Sequence, residues 1–480
     1  MKDRRGAHHN SALVSAITGV ALVLALPIGV MVTSPPHTDA PEWQHAATVL
    51  LPQHAKGTLL LLAGTLIPAL LLAVPSAWLV ACTTPPANAS SIGCFSSRWR
   101  CPPASAHSPM LLGPTNSLSA WLDASLGMNP DLLHLPGLCL VLAAVLSQYI
   151  YLPARAAFTL GMTAQLDAAR SLGAGPLRRF TRVALLLAWP AIAAGALLVA
   201  IETLNDYGAV RYFGERTLTT AVFRSWGGLY DLDSALRLGS VLILLVDALL
   251  WVDRRSRRWA GRSTDQVPTT PILPTGHRAA IAVGWCAMVL ALGAGLPLAK
   301  ILVDVAQASS LTDWQEMGPA FSNTLLVAAL AAAVTLAAAV AFTFRERHGQ
   351  SGLWAIRLAN LGYAIPGAVI AVGAMAAVGA IDRSDCLPFP LIGSLGLLIH
   401  ALAARFLAVG NQPLRAGLEH QPKALDESAQ LLGASPLRIF RRINLPLFRP
   451  ALIAATMLVA IDFIQELLLT LILRPFASIR

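Results

Sequence analysis

Charge is scarce in this chain. Asp, Glu, Lys and Arg make up 12% of the 480 residues, against 55% hydrophobic residues and a mean hydropathy of +0.62. A soluble domain cannot hide that much apolar surface. Paired cysteines are missing too. Cys82, Cys94, Cys101, Cys139, Cys286 and Cys386 form no C-x-x-C pair, so neither a zinc site nor a disulfide framework is implied. No G-x-x-x-x-G-K-[ST] loop occurs, so this chain does not itself hydrolyse ATP. No catalytic triad or metal-ligand cluster is visible, and no enzyme activity, cofactor or resident metal is expected. The eleven histidines are dispersed, and His8 and His9 lie in a polar N-terminal tail. No barrel-like alternation is present, so backbone satisfaction in lipid requires helices.

What the chain does have is apolar runs of about 20 residues, long enough to cross a bilayer as helices. The expected spans cover about 12–33, 57–81, 136–159, 183–204 and 235–252, then 279–302, 320–343, 354–379, 388–410 and 449–473. The first run is too long for a signal-peptide core and lacks a clear small-residue cleavage site, so it reads as an uncleaved span with the basic flank MKDRRG in the cytoplasm. The net charge of +10 is explained by Lys and Arg gathered in cytoplasmic loops, with no call for a nucleic-acid partner. Arg254, Arg255, Arg257, Arg258 and Arg262 mark a cytoplasmic linker over 253–278. It divides a first half, 1–252, from a second, 279–480. The fold class expected is all-α and polytopic.

Parity raises a difficulty over 82–112. The positive-inside bias asks for one more span there, yet the segment CTTPPANASSIGCFSSRWRCPPASAHSP is rich in Ser, Pro and Cys and cannot span. Codons can be chosen for 87–104 so that an alternate frame reads as a span similar to NLGYAIPGA at Asn360–Ala368. A frameshift is therefore expected there, with a second slip near the C-terminal RPFASIR and two of twelve spans lost.

The most informative feature is a repeat. LDAARSLGAGPLRRFTRVALLLAWPA, from Leu166 to Ala191, recurs as DESAQLLGASPLRIFRRINLPLFRPA, from Asp426 to Ala451. Asp167 aligns with Glu427, Gly173 with Gly433, Pro176 with Pro436, Arg178 with Arg438 and Pro190 with Pro450, each pair 260 positions apart. Each copy reads as a short amphipathic helix stopped by glycine, then a basic turn, then a long apolar run. Duplication beside a span in each half suggests a two-fold docking surface for a two-fold partner.

These residues resemble the inner-membrane permease family of ATP-binding-cassette importers, whose hallmark is a cytoplasmic E-A-A, three residues, G loop. Here it stands as Asp167-Ala168-Ala169 with Gly173, and as Glu427-Ser428-Ala429 with Gly433. YIYLPARAAF, ETLNDYGAVRYFGERTLTTAVFRSW, GYAIPGAVIAVG and RFLAVGNQPLRAGL look like the fused, two-halves-in-one-chain permeases for ferric iron. Fused thiamine permeases are the nearest competitor. The resemblance implies a cytoplasmic ATPase dimer, which binds the ATP, gripping both loops, and a periplasmic substrate-binding protein docking outside. Asp167, Ala168, Ala169, Gly173, Pro176 and Arg178 would carry ATPase coupling in one copy. Glu427, Ser428, Ala429, Gly433, Pro436 and Arg438 would carry it in the other.

Acids also recur at the ends of the spans that follow. Glu202, Asn205 and Asp206 align with Asp462, Gln465 and Glu466, and near-membrane acids are candidates for a pathway or gate. Pro366 is a candidate break that shapes the same pathway. A secondary transporter or channel, and a damaged product without activity, remain as alternatives.

Overall fold

The computed structural model describes residues 46–82, 134–159, 162–258, 277–295, 297–299, 301–302, 314–347, 360–384, 388–419 and 421–475, with a few single residues at 20–29, 305 and 356. The expected first span and the whole of 83–112 lie outside the described residues, as do most of the linker and the C-terminal residues from 476. Every regular element among the described residues is helical. Six helices are long and apolar enough to cross a membrane, or eight if each of two bent pairs counts as one span. The chain is a polytopic, all-α membrane protein.

The residues group into two compact units. One comprises His45–Ala221 and Leu242–Thr312, and the other Met1–Gln44, Val222–Val241 and Asp313–Arg480.

In the first of these, α1 (Leu51–Cys82) packs against α2 (Leu135–Leu146) and α3 (Gln148–Thr159). Lipid tails are as apolar as leucine, so helices associate here through close packing of small residues rather than through the hydrophobic effect. Ala69, Ala73, Ala143, Ala154 and Ala188 are accordingly buried in the contact, between Leu61, Leu138, Leu142 and Ile192. α2 and α3 meet at 41° around Ser147, whose hydroxyl donates to Ala144 O at 2.9 Å. They are followed by α4 (Thr163–Ser171) and, past a loop and a short basic helix, by α5 (Leu185–Asn205). Gly195 lets α5 press on the backbone of α3. A Cβ there would lie 2.5 Å from Tyr149 O and 2.6 Å from Ile150 Cα. α6 (Leu232–Arg258) extends the expected 235–252 span through Arg254 and Arg255 to Arg258, so the start of the predicted linker is helical. α7 (His277–Leu290) touches α1 where Trp285 Nε1 donates to Ser76 Oγ at 3.0 Å.

In the other unit, α8 (Trp314–Arg347) and α10 (Leu395–Glu419) contribute Ala339, Phe342, Ala403, Leu407 and Leu414 to one core, which Ala455 joins, and α9 (Gly367–Asp382) packs against α10. Thr343 Oγ1 donates to Asn411 Oδ1 at 2.7 Å, joining α8 to α10 with both groups buried. α11 (Lys423–Leu431) and α12 (Arg449–Gln465) complete it.

Three expected spans differ in detail. The 354–379 stretch is not one helix. A 3₁₀ turn, Asn360–Ala364, stops before Pro366, and α9 starts at Gly367, because proline cannot continue the helix that precedes it. The 388–410 span is displaced toward the C-terminus, to Leu395–Glu419. The Asp382 carboxylate accepts from Leu391 N at 3.0 Å and Ile392 N at 3.1 Å, which holds the preceding residues in a turn. The 449–473 span is broken at Glu466, and a short helix, Leu468–Ile472, follows.

Candidate functional site

The sequence repeat is a repeat of backbone geometry. α4 and α11 end in the same way. Gly173 (φ +76°) and Gly433 (φ +79°) both take the left-handed conformation that closes a helix. Ala174 N donates to Ala169 O, and Ala434 N to Ala429 O, each at 3.0 Å. Gly173 N reaches Arg170 O and Gly433 N reaches Gln430 O, which completes a Schellman-type closure in both copies.

After each glycine a four-residue helix begins on proline, Pro176–Arg179 and Pro436–Ile439. Each continues into a π turn, Phe180–Ala184 and Phe440–Asn444, before the span. The span then differs between copies. Pro176–Asn205 is one continuous run despite Pro190. Phe440–Leu447 and Arg449–Gln465 meet at 66°. The second copy has Pro446 as well as Pro450, two missing N–H donors within one turn, and the helix breaks at Phe448.

Asp167, Ala168, Arg178, Glu427, Ser428 and Arg438 are exposed, whereas Ala169 is half-buried and Ala429 buried. The alanine pair thus faces the body of each unit, and the acid and cation face outward. Leucines stand beside them in the open: Leu172 is 86% exposed, and Leu431 and Leu432 are each 89% exposed. Each copy thus sets exposed leucine beside an outward acid.

The π turn after each amphipathic helix starts in an aromatic cluster. Phe180 sits 5.2 Å from Trp78 and 6.4 Å from Phe158, centroid to centroid. Its counterpart Phe440 sits 5.0 Å from Phe344 and 5.9 Å from Phe448.

The acids at the far ends of the spans also share one geometry. Asp206 (φ −77°, ψ 92°) and Glu466 (φ −74°, ψ 100°) each interrupt the helix with an extended ψ. Each caps the short helix that follows: Asp206 Oδ1 accepts from Ala209 N at 2.9 Å, and Glu466 Oε1 from Leu469 N at 3.1 Å. Glu202, Asn205, Asp462 and Gln465 stand half-buried on the turn before.

Glu466 has a further partner that the sequence reading missed. Arg405 Nη1 donates to Glu466 Oε1 at 2.9 Å, with the two side chains 7% and 8% exposed. The guanidinium also lies 5.1 Å over the Phe406 ring. Pro366 is the residue before Gly367, and Gly367 leaves the room this pair occupies, since a Cβ there would overlap Arg405 Nη1. Gly362 likewise abuts Ala404 O. Pro366 and Glu466 are therefore brought together, around an arginine at the heart of a span. The signal was available: an arginine within the apolar stretch Leu395–Phe406 is rare and functional by default. At the aligned position of the other half stands Val145.

No protein-family model matches the chain, and no solved structure matches it. Curated relatives do. The chain is 27% identical over 313 residues to the Fe(3+)-transport system permease protein FbpB 2 of Haemophilus influenzae, which covers 63% of this chain and 60% of that one. It is 25% identical over 319 residues to the ferric transport system permease protein FbpB of Actinobacillus pleuropneumoniae, covering 60% and 44%. It is 26% identical over 375 residues to the probable ABC transporter permease protein y4fN of Sinorhizobium fredii, covering 71% and 64%. The matched region thus spans between 44% and 64% of the length of each of these relatives. A polytopic helical membrane protein with a duplicated amphipathic helix is the class that the fold and the repeat define. Within that class the chain is similar to ferric-type permeases of ABC transport systems.

Proposed function

We propose that this chain is the membrane-spanning permease subunit of an ATP-driven importer in a bacterial inner membrane, with ferric iron as its cargo. Its two halves, 1–252 and 279–480, would supply both walls of the pathway. Two cytoplasmic ATPase subunits would grip the loops at 163–182 and 423–442 and hydrolyse the ATP. A periplasmic binding protein would deliver the cargo.

The observation that carries this reading is the repeated unit of helix, left-handed glycine, basic turn, π turn and span, with an outward acid and leucines on each copy. Closure of an ATPase pair moves both helices and switches access between the two sides of the membrane. The substrate is supported by the printed names of the relatives alone.

Copurification of the chain with its cassette ATPase tests the class, because a secondary transporter or channel would hold no ATPase. Uptake of radioactive ferric iron in cells supplied with the matching ATPase and binding protein tests the cargo. Uptake that persists without the ATPase, or uptake of thiamine in place of iron, would overturn the respective part.

A further inference from the structure

The two amphipathic helices are rooted by different chemistry, and the difference lies at one pair of aligned positions. In the first copy the position is Leu166, which packs on the apolar cluster containing Phe158 beside Phe180. In the second it is Asp426, which is 7% exposed. Asp426 Oδ2 accepts from Nε of Arg347, the last residue of α8. The same guanidinium donates through Nη1 to Leu418 O at 2.7 Å, in the last turn of α10. The arginine and aspartate side chains are 6% and 10% exposed. One planar fork therefore holds the end of α10, the start of α11 and the end of α8.

A guanidinium can do this because its donors point in fixed, divergent directions. An ammonium is a point charge and cannot reach both acceptors in the same way. The contact is buried and charge-assisted, so losing one partner would leave the other's charge unpaired; Arg347 Nη2 and Asp426 Oδ1 themselves make no hydrogen bond. Leu418 aligns with Phe158, whose ring lies in the apolar cluster on which Leu166 packs.

We propose that Arg347 is the positioning residue that makes α10 and α11 move as one body, so that displacement of the second amphipathic helix enters the membrane through α10. The first helix is coupled by apolar contact instead. This inference rests on the reading of α11 as an ATPase-docking helix, but the joint itself is a property of the permease alone.

The test has two readouts. Spin labels at Ala416→Cys on α10 and Gln430→Cys on α11, in a cysteine-free permease reconstituted in a bilayer, report the joint without any ATPase. Iron transported per ATP hydrolysed by the complete complex reports coupling. The variants are Arg347→Lys, Arg347→Met, and Arg347→Met with Asp426→Leu, the last recreating the apolar joint of the first copy.

The unmodified chain should give one narrow distance. Arg347→Met should broaden it and lower transport per ATP about fivefold or more, the lower end of site-to-site coupling. Arg347→Lys, which keeps the charge and the folded yield, should also broaden the distance and lower the ratio. The apolar pair should restore both. A narrow distance and full ratio in Arg347→Lys would overturn the role of the fork. A folded apolar pair that stays broad would overturn the joint. If the unmodified complex transports nothing on ATP, the functional reading has failed, and the distances still decide the joint.

Discussion

Arg405 Nη1 lies 2.9 Å from Glu466 Oε1, and Gly367 is the reason it fits. Three interruptions of helix converge on this pair: the start of α9, the end of α12 and the turn at Gly362 that abuts Ala404 O. Removing one partner leaves a buried charge without its counter-ion, whereas removing both leaves an apolar contact. Arg405→Met or Glu466→Gln alone should therefore destabilise the purified protein by roughly 3–5 kcal/mol, and Arg405→Met with Glu466→Met should recover the part due to the unpaired charge, short of the parent by the roughly 1–3 kcal/mol of the bond lost from Leu469 N. Denaturation of the detergent-solubilised chain measures this. Equal losses in the single and double variants would mean the pair is not a unit.

Gly367→Ala should act on the same pair from the other side. Its methyl group would overlap Arg405 Nη1 and stand 2.5 Å from Glu466 Oε1. In the double apolar background those atoms are gone, so the alanine should cost far less there than in the parent. The coupling is read from a double-mutant cycle, and additive losses of stability would contradict the geometry.

The left-handed glycines give a sharper local test. Alanine at Gly173 or Gly433 would be held at φ near +76° or +79°, at a cost of about 1–2 kcal/mol. Nothing lies within 4 Å of a Cβ at either site, so the cost is conformational and not steric. Asparagine, which tolerates this region, should be milder than alanine, and valine worse. Iron uptake per ATP should fall in that order, and a rank set by side-chain size alone would contradict it.

Orientation is checked by chemistry at two aligned loops. Ser171 and Ser435 are both exposed. Cysteines placed there should react with an impermeant maleimide from the cytoplasmic side only, as the flanking Arg178, Arg182, Arg438 and Arg442 require. Labelling of either from outside would reverse the topology.

Much of this was legible in the sequence because glycine and proline punctuate it. Gly173, Pro176, Gly433 and Pro436 fix helix ends by backbone geometry alone, so equal spacing gives equal structure. The partners of the buried charges were not legible in the same way. Arg405 stands in an apolar run whose average hides it, and its contact with Glu466 joins positions far apart in the chain. Asp426 has Leu166 as its aligned twin, so the repeat that exposes the two amphipathic helices conceals how one of them is held. The 354–379 run reads as a span by its apolarity, and Gly362, Pro366 and Gly367 mark within it the candidate break where the 3₁₀ turn gives way to α9.

The π turns at Phe180–Ala184 and Phe440–Asn444 have a consequence for the reading frame of each half. Leu185 N bonds Phe180 O, and Leu445 N bonds Phe440 O, so each turn holds one residue more than a regular helical turn. The wider turn absorbs that surplus, so the basic segment and the span keep nearly the facing of a regular helix one residue shorter. Deleting one residue from Arg441–Asn444 would let the segment wind as ordinary helix with little change of facing, whereas one residue inserted and wound as ordinary helix would turn everything upstream by about 100° against the span. Glu427 and Arg438, both upstream, would then swing together while α12 stayed seated in its core. The wide turn thus takes up one residue of slack, and the facing of each amphipathic helix depends on that turn together with the contacts that hold the helix.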